Sequence, residues 1–188
     1  MAEITPSPFL GQRIAGRYLV EELVGAGGFA CVFRGTAGES ERVAIKVLHS
    51  TDTMALSRFR REIKVLRSLP SNPYVVEHVD DGRTEDGHPF LVLGFVSGDT
   101  LAEKMTRWSL LEPRDAASFL SELCEAFIEL HRLGVAHRDV KPENIILTAD
   151  DGIKLIDFGL VRDAQGILKL LEQDEELERR IFQDEIDR

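Results

Sequence analysis

HRDVKPENIIL, residues 137–147, and IDFG, residues 156–159, decide the reading of this 188-residue chain. One short loop holds a carboxylate (Asp139), an ammonium (Lys141) and a carboxamide (Asn144). A second carboxylate, Asp157, follows eighteen positions beyond Asp139 (157 − 139). A carboxylate can accept a hydroxyl proton, and a lysine can neutralise a phosphate. An amide oxygen and a carboxylate are hard oxygen ligands of the kind Mg²⁺ takes. These are the residue types needed to move a phosphoryl group from a magnesium nucleotide to a hydroxyl. An unrelated surface loop is a poor account of both strings at this spacing.

Working outward, NIIL and IKLI read as two short strands around Asp150-Asp151-Gly152. Upstream, residues 113–133 place Ala116, Phe119, Leu120, Leu123, Phe127 and Leu130 on one stripe, which predicts a long helix closed by Gly134. Earlier still the period changes. YLVEELV, CVFRG and RVAIKVL are apolar runs separated by turns and predict three strands; VVEHV and PFLVLGFV predict two more. Between the two groups, Phe59, Ile63, Leu66 and Leu69 recur at helical spacing over residues 52–69. The expectation is an α+β fold of two lobes joined near Gly94–Gly98: a five-stranded sheet with one helix, then a helical lobe that is incomplete.

Two further features carry chemistry. GAGGFACV, from Gly25 to Val32, is a glycine-rich turn between predicted strands. Gly25, Gly27 and Gly28 can bring backbone N–H groups against phosphate oxygens where side chains would block them. A plain hairpin turn is the competing account, and a Rossmann site is disfavoured because the glycines do not open a helix. In VAIK, strand alternation puts Ala44 and Lys46 on one face. A lysine among apolar neighbours needs a partner if buried. Glu62, on the edge of the apolar face of the predicted helix, can supply one; a strand-capping lysine and a solvated glutamate are the alternative.

Taken in order, GxGxxxxV, VAIK, the helix glutamate, HRDVKPEN and DFG resemble the protein kinase family over roughly residues 17–162. The lysine of HRDVKPEN resembles the serine/threonine branch, and the texture resembles its bacterial members. The resemblance implies ATP and Mg²⁺ as cofactors and a protein substrate bearing a Ser or Thr hydroxyl. It implies Lys46 on the α and β phosphates with Glu62 as its partner. Asp139 becomes the catalytic base with Lys141 beside it, and Asn144 and Asp157 become the magnesium ligands. Val24 would roof the pocket, and Val32, Ala44 and Ile146 would sandwich the adenine. Leu93 would be the gatekeeper, with the backbone from Gly94 to Val96 on the adenine edge. Leu66, His137 and Phe158 resemble members of the packed column that aligns the lobes.

The pattern also breaks. Ala30 replaces the usual third glycine, Gly94 the usual hinge acid, and His78 an apolar member of the packed column, which a half-satisfied buried histidine would weaken. Residues 160–188 hold no Ser, Thr or Tyr to receive a phosphate that Arg138 could meet, and no proline follows Pro142. The segment 166–188 instead carries four basic and eight acidic residues, with Leu170, Leu171, Leu177, Ile181 and Ile186 at roughly helical spacing. The expected organisation is a loose leader (1–16), an N-lobe (17–96), a partial C-lobe (97–162) and an acidic amphipathic helical tail (163–188). A truncated kinase domain is the first reading. The alternatives are a nucleotide- or partner-binding pseudokinase-like module, with a partner protein covering the truncated lobe, and a small-molecule phosphotransferase on the same fold.

Bulk properties exclude other classes. A formal net charge of −10 argues against nucleic acid, and no basic cluster suggests a membrane surface. No apolar run approaches the ~20 residues of a membrane span. Two cysteines are too few for a disulfide framework, so the expectation is a cytoplasmic protein.

Overall fold

The computed structural model describes residues 8–38, 40–107, 113–148 and 152–163. Among them the chain forms two compact units, residues 8–59 with 78–95 and residues 60–77 with 96–163. Six strands belong to the first: β1 (Arg13–Ile14), β2 (Tyr18–Ala26), β3 (Ala30–Ala37), β4 (Glu41–Leu48), β5 (His78–Arg83) and β6 (Pro89–Gly94). They form one antiparallel sheet in the order β1-β2-β3-β4-β6-β5.

Register gives this sheet two unlike faces, because residues paired across an antiparallel ladder point the same way. Phe33 pairs with Ile45 and Ile45 with Val92, while Cys31 pairs with Val47 and Val47 with Phe90. These side chains, with Val43, Tyr18 and Val20, are all buried and form the core of the unit. The opposite face carries Val32, Lys46 and Leu91 in one row and Ala44 with Leu93 in the next. Tyr18, wholly buried, donates its hydroxyl to Asp80 Oδ2 at 2.7 Å. That bond joins β2 to β5, the second and sixth strands of the order, so the sheet is curled. Burial and the Asp80 carboxylate push the Tyr18 phenol up to about 12, so it stays a donor throughout the physiological range.

The leader expected to be loose is ordered from Pro8 onward. Gly11 N donates to Val20 O and Val20 N to Gln12 O, both at 2.9 Å. Phe9 and Ile14 are buried in the core, and Phe9 lies edge-on to Phe33 and His88. Gly11 and Gly16 take φ of +77° and +67° and fold the segment back. The sheet therefore has six strands, not five; residues 1–7 lie outside the described residues. The strand expected at VVEHV begins instead at His78, because Val75 and Val76 belong to the second unit and pair with Leu155 within it. The Nε2 of His78 lies 2.7 Å from Asp81 Oδ1, so the ring meets a carboxylate of its own strand.

Helix α1 (Thr53–Ser68) runs from the first unit into the second. Asp52 caps it, accepting from Ala55 N at 2.8 Å, and Phe59, Ile63 and Leu66 are buried as the spacing predicts. The second unit then contains β7 (Gly98–Thr100), α2 (Leu101–Arg107), α3 (Pro113–Arg132), β8 (Val135–Ala136), β9 (Ile145–Thr148), β10 (Ile153–Leu155) and β11 (Arg162–Asp163). Thr100 and Glu103 form a reciprocal cap at the start of α2, with Thr100 N donating to Glu103 Oε2 at 2.7 Å and Glu103 N to Thr100 Oγ1 at 3.2 Å.

On α3, Ala126 and Leu130 are fully buried, and Phe119, Leu123 and Phe127 half-buried. Leu120, expected on the buried stripe, is 56% exposed. Gly134 ends the helix at φ +76°. Strands β7, β9 and β10 make a three-stranded sheet, and β8 pairs with β11. Both cysteines are free thiols. No helix among the described residues is long and apolar enough to cross a membrane. The expected helical tail, with Leu170, Leu171, Leu177, Ile181 and Ile186, lies outside the described residues, as do Asp150 and Asp151.

Two glycines are required by contact. A Cβ on Gly35 would sit 2.2 Å from Leu19 O, and one on Gly98 2.0 Å from Leu147 O. Gly35→Ala and Gly98→Ala are each expected to cost about 1–3 kcal/mol or more, since backbone must move. Urea denaturation of the variants would read this as a lowered midpoint at unchanged slope; an unchanged midpoint would contradict it.

Candidate active site

The loop after β8 is built around Asn144, which is 4% exposed. Its Nδ2 donates to the main-chain oxygen and to Oδ2 of Asp139, both at 2.9 Å. Lys141 Nζ donates to the same Oδ2 at 2.8 Å. Asp139, Lys141 and Asn144 are thus brought together, with Asp139 as the shared acceptor. Pro142 opens a single 3₁₀ turn, Pro142–Asn144, that lets Asn144 reach back. The Lys141 bond, with help from Asn144, holds the Asp139 carboxyl below its ordinary range, and Asp139 in turn raises Lys141. Asp139 is therefore an ionised acceptor at neutral pH.

Asp157 is tied to this loop through its neighbour. Ile156 N donates to Asn144 O at 3.0 Å, and Ile156 O lies 3.2 Å from His137 Nε2. Because Asp139 N donates to His137 Nδ1 at 3.3 Å, the imidazole is a neutral ring carrying its proton on Nε2. Burial, the largest influence, pushes His137 below its ordinary value and so agrees with the neutral form. Phe158 is fully buried with its ring centroid 4.7 Å from that of His137, and Phe127 stands edge-on at 6.5 Å. Glu62 is buried beside this segment: a Cβ on Gly159 would lie 3.9 Å from Glu62 Oε2 and 3.4 Å from Asp157 Oδ1. Ile146, half-buried on β9, pairs with Thr100 and Lys154.

Arg138 and Asp157 take left-handed backbone, at φ 64° and 62°. For residues with a side chain this costs about 1–3 kcal/mol each, and it is held where the surroundings over-determine it.

Lys46, Val32, Ala44 and Leu93 belong to the first unit and share the face opposite its core. Leu93 is buried; Val32, Ala44, Lys46, Gly94 and Val96 are intermediate, Gly94 ending β6 and Val96 following it in the second unit. Val24 is 61% exposed. Gly25, Gly27 and Gly28 have no left-handed φ, and a Cβ on Gly25 or Gly28 would meet nothing within 4 Å. The fold itself does not demand glycine at 25 and 28; close approach by a ligand backbone or phosphate would. Ala30 starts β3 with φ < 0, so its methyl is accommodated.

Asn144 and Asp157 fit a hard cation. Both donors on Asn144 Nδ2 are used, which leaves Oδ1 and the Asp157 carboxylate as oxygen ligands. Among the described residues no group of three or more His, Cys, Asp or Glu is arranged to hold a metal. Two oxygen ligands suit an ion that keeps waters and arrives with phosphate. The Ile156 amide and carbonyl, which join the two ligands, gave no signal in the sequence because any residue supplies them. The β8–β11 pairing was missed for the same reason: two residues carry no period.

Residues 18–173 match the model of the protein kinase domain. The serine/threonine-protein kinase PknL of Mycobacterium tuberculosis is 38% identical over 163 residues, covering 84% of this chain and 40% of that protein. The serine/threonine-protein kinase pkn3 of Myxococcus xanthus is 36% identical over 82% of this chain and 29% of its own length. PrkC of Bacillus subtilis, another serine/threonine-protein kinase, is 35% identical over 80% and 24%. The chain spans 40% or less of the length of these relatives.

Asp139 has a lowered folded value, so its stabilisation is present above the unfolded carboxylate value of about 3.9 and is lost as pH falls through the folded one. Lys141→Met removes the main cause. Carboxyl NMR titration is expected to show the Asp139 midpoint rising in the variant, with the stability gap to wild type closing below about pH 4. An unmoved midpoint would show that Lys141 does not set it.

Proposed function

Because the chain belongs to the protein kinase family, we propose that it carries the catalytic machinery of a serine/threonine kinase, transferring phosphate from Mg²⁺-ATP to a protein hydroxyl. The observation that carries this reading is the Asp139–Lys141–Asn144 cluster, locked through Ile156 to Asp157. Asp139 receives and orients the Ser or Thr hydroxyl and takes up its proton as the new oxygen–phosphorus bond forms and the bond from the γ-phosphorus to the bridging oxygen breaks, releasing ADP. Lys141, already beside Asp139, balances the charge of the transferred phosphoryl group. When bound, Mg²⁺ neutralises and orients the phosphates, and Asn144 Oδ1 and the Asp157 carboxylate are the groups to hold it.

The nucleotide-facing roles rest on the family pattern. Lys46 contacts the α and β phosphates with Glu62 as its ion-pair partner, and Gly25, Gly27 and Gly28 lie over the phosphates. Val24, Val32, Ala44 and Ile146 contact the adenine; Leu93 limits the depth of the pocket, and the main chain of Gly94 and Val96 meets the adenine edge. Supporting this are the shared face of Val32, Ala44, Lys46 and Leu93 and the glycines at 25 and 28, where a Cβ would meet nothing in the fold. ATP as co-substrate, the two free thiols and the absence of basic clusters fit work in the cytoplasm on protein, with neither nucleic acid nor membrane as partner.

The test is nucleotide-dependent thermal stabilisation together with transfer of labelled γ-phosphate to a generic protein rich in Ser and Thr. The expected result is Mg²⁺-dependent stabilisation and transfer. Asp157→Ala is expected to abolish the Mg²⁺-dependent part of the stabilisation. Asp139→Asn is expected to keep it while lowering transfer about 10²–10⁴-fold. Equal transfer by wild type and Asp139→Asn would overturn the assignment of Asp139.

A further inference from the structure

Segment 72–76, between α1 and β5, is not a passive connection. Asn72 shapes it, its Oδ1 accepting from Tyr74 N at 2.8 Å and its carbonyl from Val75 N at 3.3 Å. The segment lies parallel to β10 as an extra ladder: Leu155 N donates to Tyr74 O at 2.7 Å, Val76 N to Leu155 O at 3.2 Å, and Lys154 Nζ to Val75 O at 3.3 Å. The Tyr74 side chain points the other way, to α3, where its hydroxyl donates to Glu125 Oε2 at 3.0 Å. One turn earlier on α3, Glu122 Oε1 accepts from Ile153 N at 3.2 Å. Two carboxylates of one helix therefore hold β10, Glu122 directly and Glu125 through Tyr74. Leu155 is followed by Ile156, bonded to Asn144 O and His137, and then by Asp157.

We propose that Tyr74 and Glu125 are positioning residues for the cation-binding pair: their hydrogen bond fixes the 72–76 ladder against β10 and so sets where Asp157 stands relative to Asn144. The function of this clamp rests on the kinase reading above, whereas its geometry does not. The physical case is one of register. A β ladder of two or three bonds is too short to define its own position. Asp157 sits in costly left-handed backbone that only a well-held neighbour can maintain. The Glu125 carboxylate raises the Tyr74 phenol, and Glu122 and Glu129 act in the same sense, so the hydroxyl remains a donor at physiological pH. Neither side chain is placed to touch nucleotide or substrate by any bond described, so their effect must pass through β10.

The test uses the full chain with Tyr74→Phe, Glu125→Gln and the double variant. Amide hydrogen exchange at Leu155 and Ile156 is read by NMR, and the affinity for a non-hydrolysable ATP analogue is measured with and without Mg²⁺. Exchange at the two amides is expected to rise in both Tyr74→Phe and the double variant. Binding with Mg²⁺ is expected to weaken about fivefold, the scale of one lost hydrogen bond. Mg²⁺-free binding is expected to stay unchanged, and the double variant to be no weaker than Tyr74→Phe, since both remove one interaction. Equal loss with and without Mg²⁺, or wild-type exchange at Leu155 and Ile156 in Tyr74→Phe, would overturn the proposal. If wild type itself gains nothing from Mg²⁺, the kinase reading fails, while the exchange data still judge the clamp.

Discussion

A buried carboxamide governs the second unit. Asn144 uses both hydrogens of its Nδ2 on Asp139 and its carbonyl on Ile156, so one side chain and its own backbone join the acceptor loop to the strand that delivers Asp157. Buried polar groups must be paired, and leaving such a group unpaired costs about 1–3 kcal/mol. The pairing is thus both a stabilising arrangement and a constraint: with its nitrogen committed, Asn144 can offer a ligand only an oxygen. The neutral tautomer of His137, the low-lying Asp139 and the held backbone of Asp157 all follow from keeping that loop in one conformation.

How much of this was legible in the sequence depends on what kind of interaction carries it. Asp139, Lys141, Asn144 and Asp157 were readable because their chemistry resides in side chains at a fixed spacing. Helices α1 and α3 were readable because a buried stripe imposes a period of 3.6 residues. Leu120 shows where that logic stops: periodicity marks a face, yet packing decides how much of it is covered. The displaced start of β5 shows another limit. Val75 and Val76 have strand character and do pair as a strand, but with Leu155, a partner eighty positions away (155 − 75) that no local pattern announces. Main-chain contacts such as those of Ile156 have no sequence signature at all.

The first unit divides its labour by face, and register is the reason. Since successive residues of a strand point to opposite sides, a single slip would exchange the Phe33–Ile45–Val92 row for the Val32–Lys46–Leu91 row. Burial of the first row makes such a slip costly, which fixes Lys46, Ala44 and Leu93 on the other side whatever contacts they make themselves. The position of these candidate ligand-binding residues is in that sense a by-product of hydrophobic packing behind them.

Phe9 and Ile14 give that packing an unexpected dependence. The family likeness begins at residue 18, and a boundary drawn there would look natural. Yet these two buried side chains come from before it, and fully burying an apolar side chain of this size is worth about 1.5–3 kcal/mol. A fragment cut at the family boundary would keep every residue named for chemistry and lose part of the wall that holds them in register. The domain in the sense of ancestry and the domain in the sense of what folds therefore begin at different residues of this chain, and the second begins earlier.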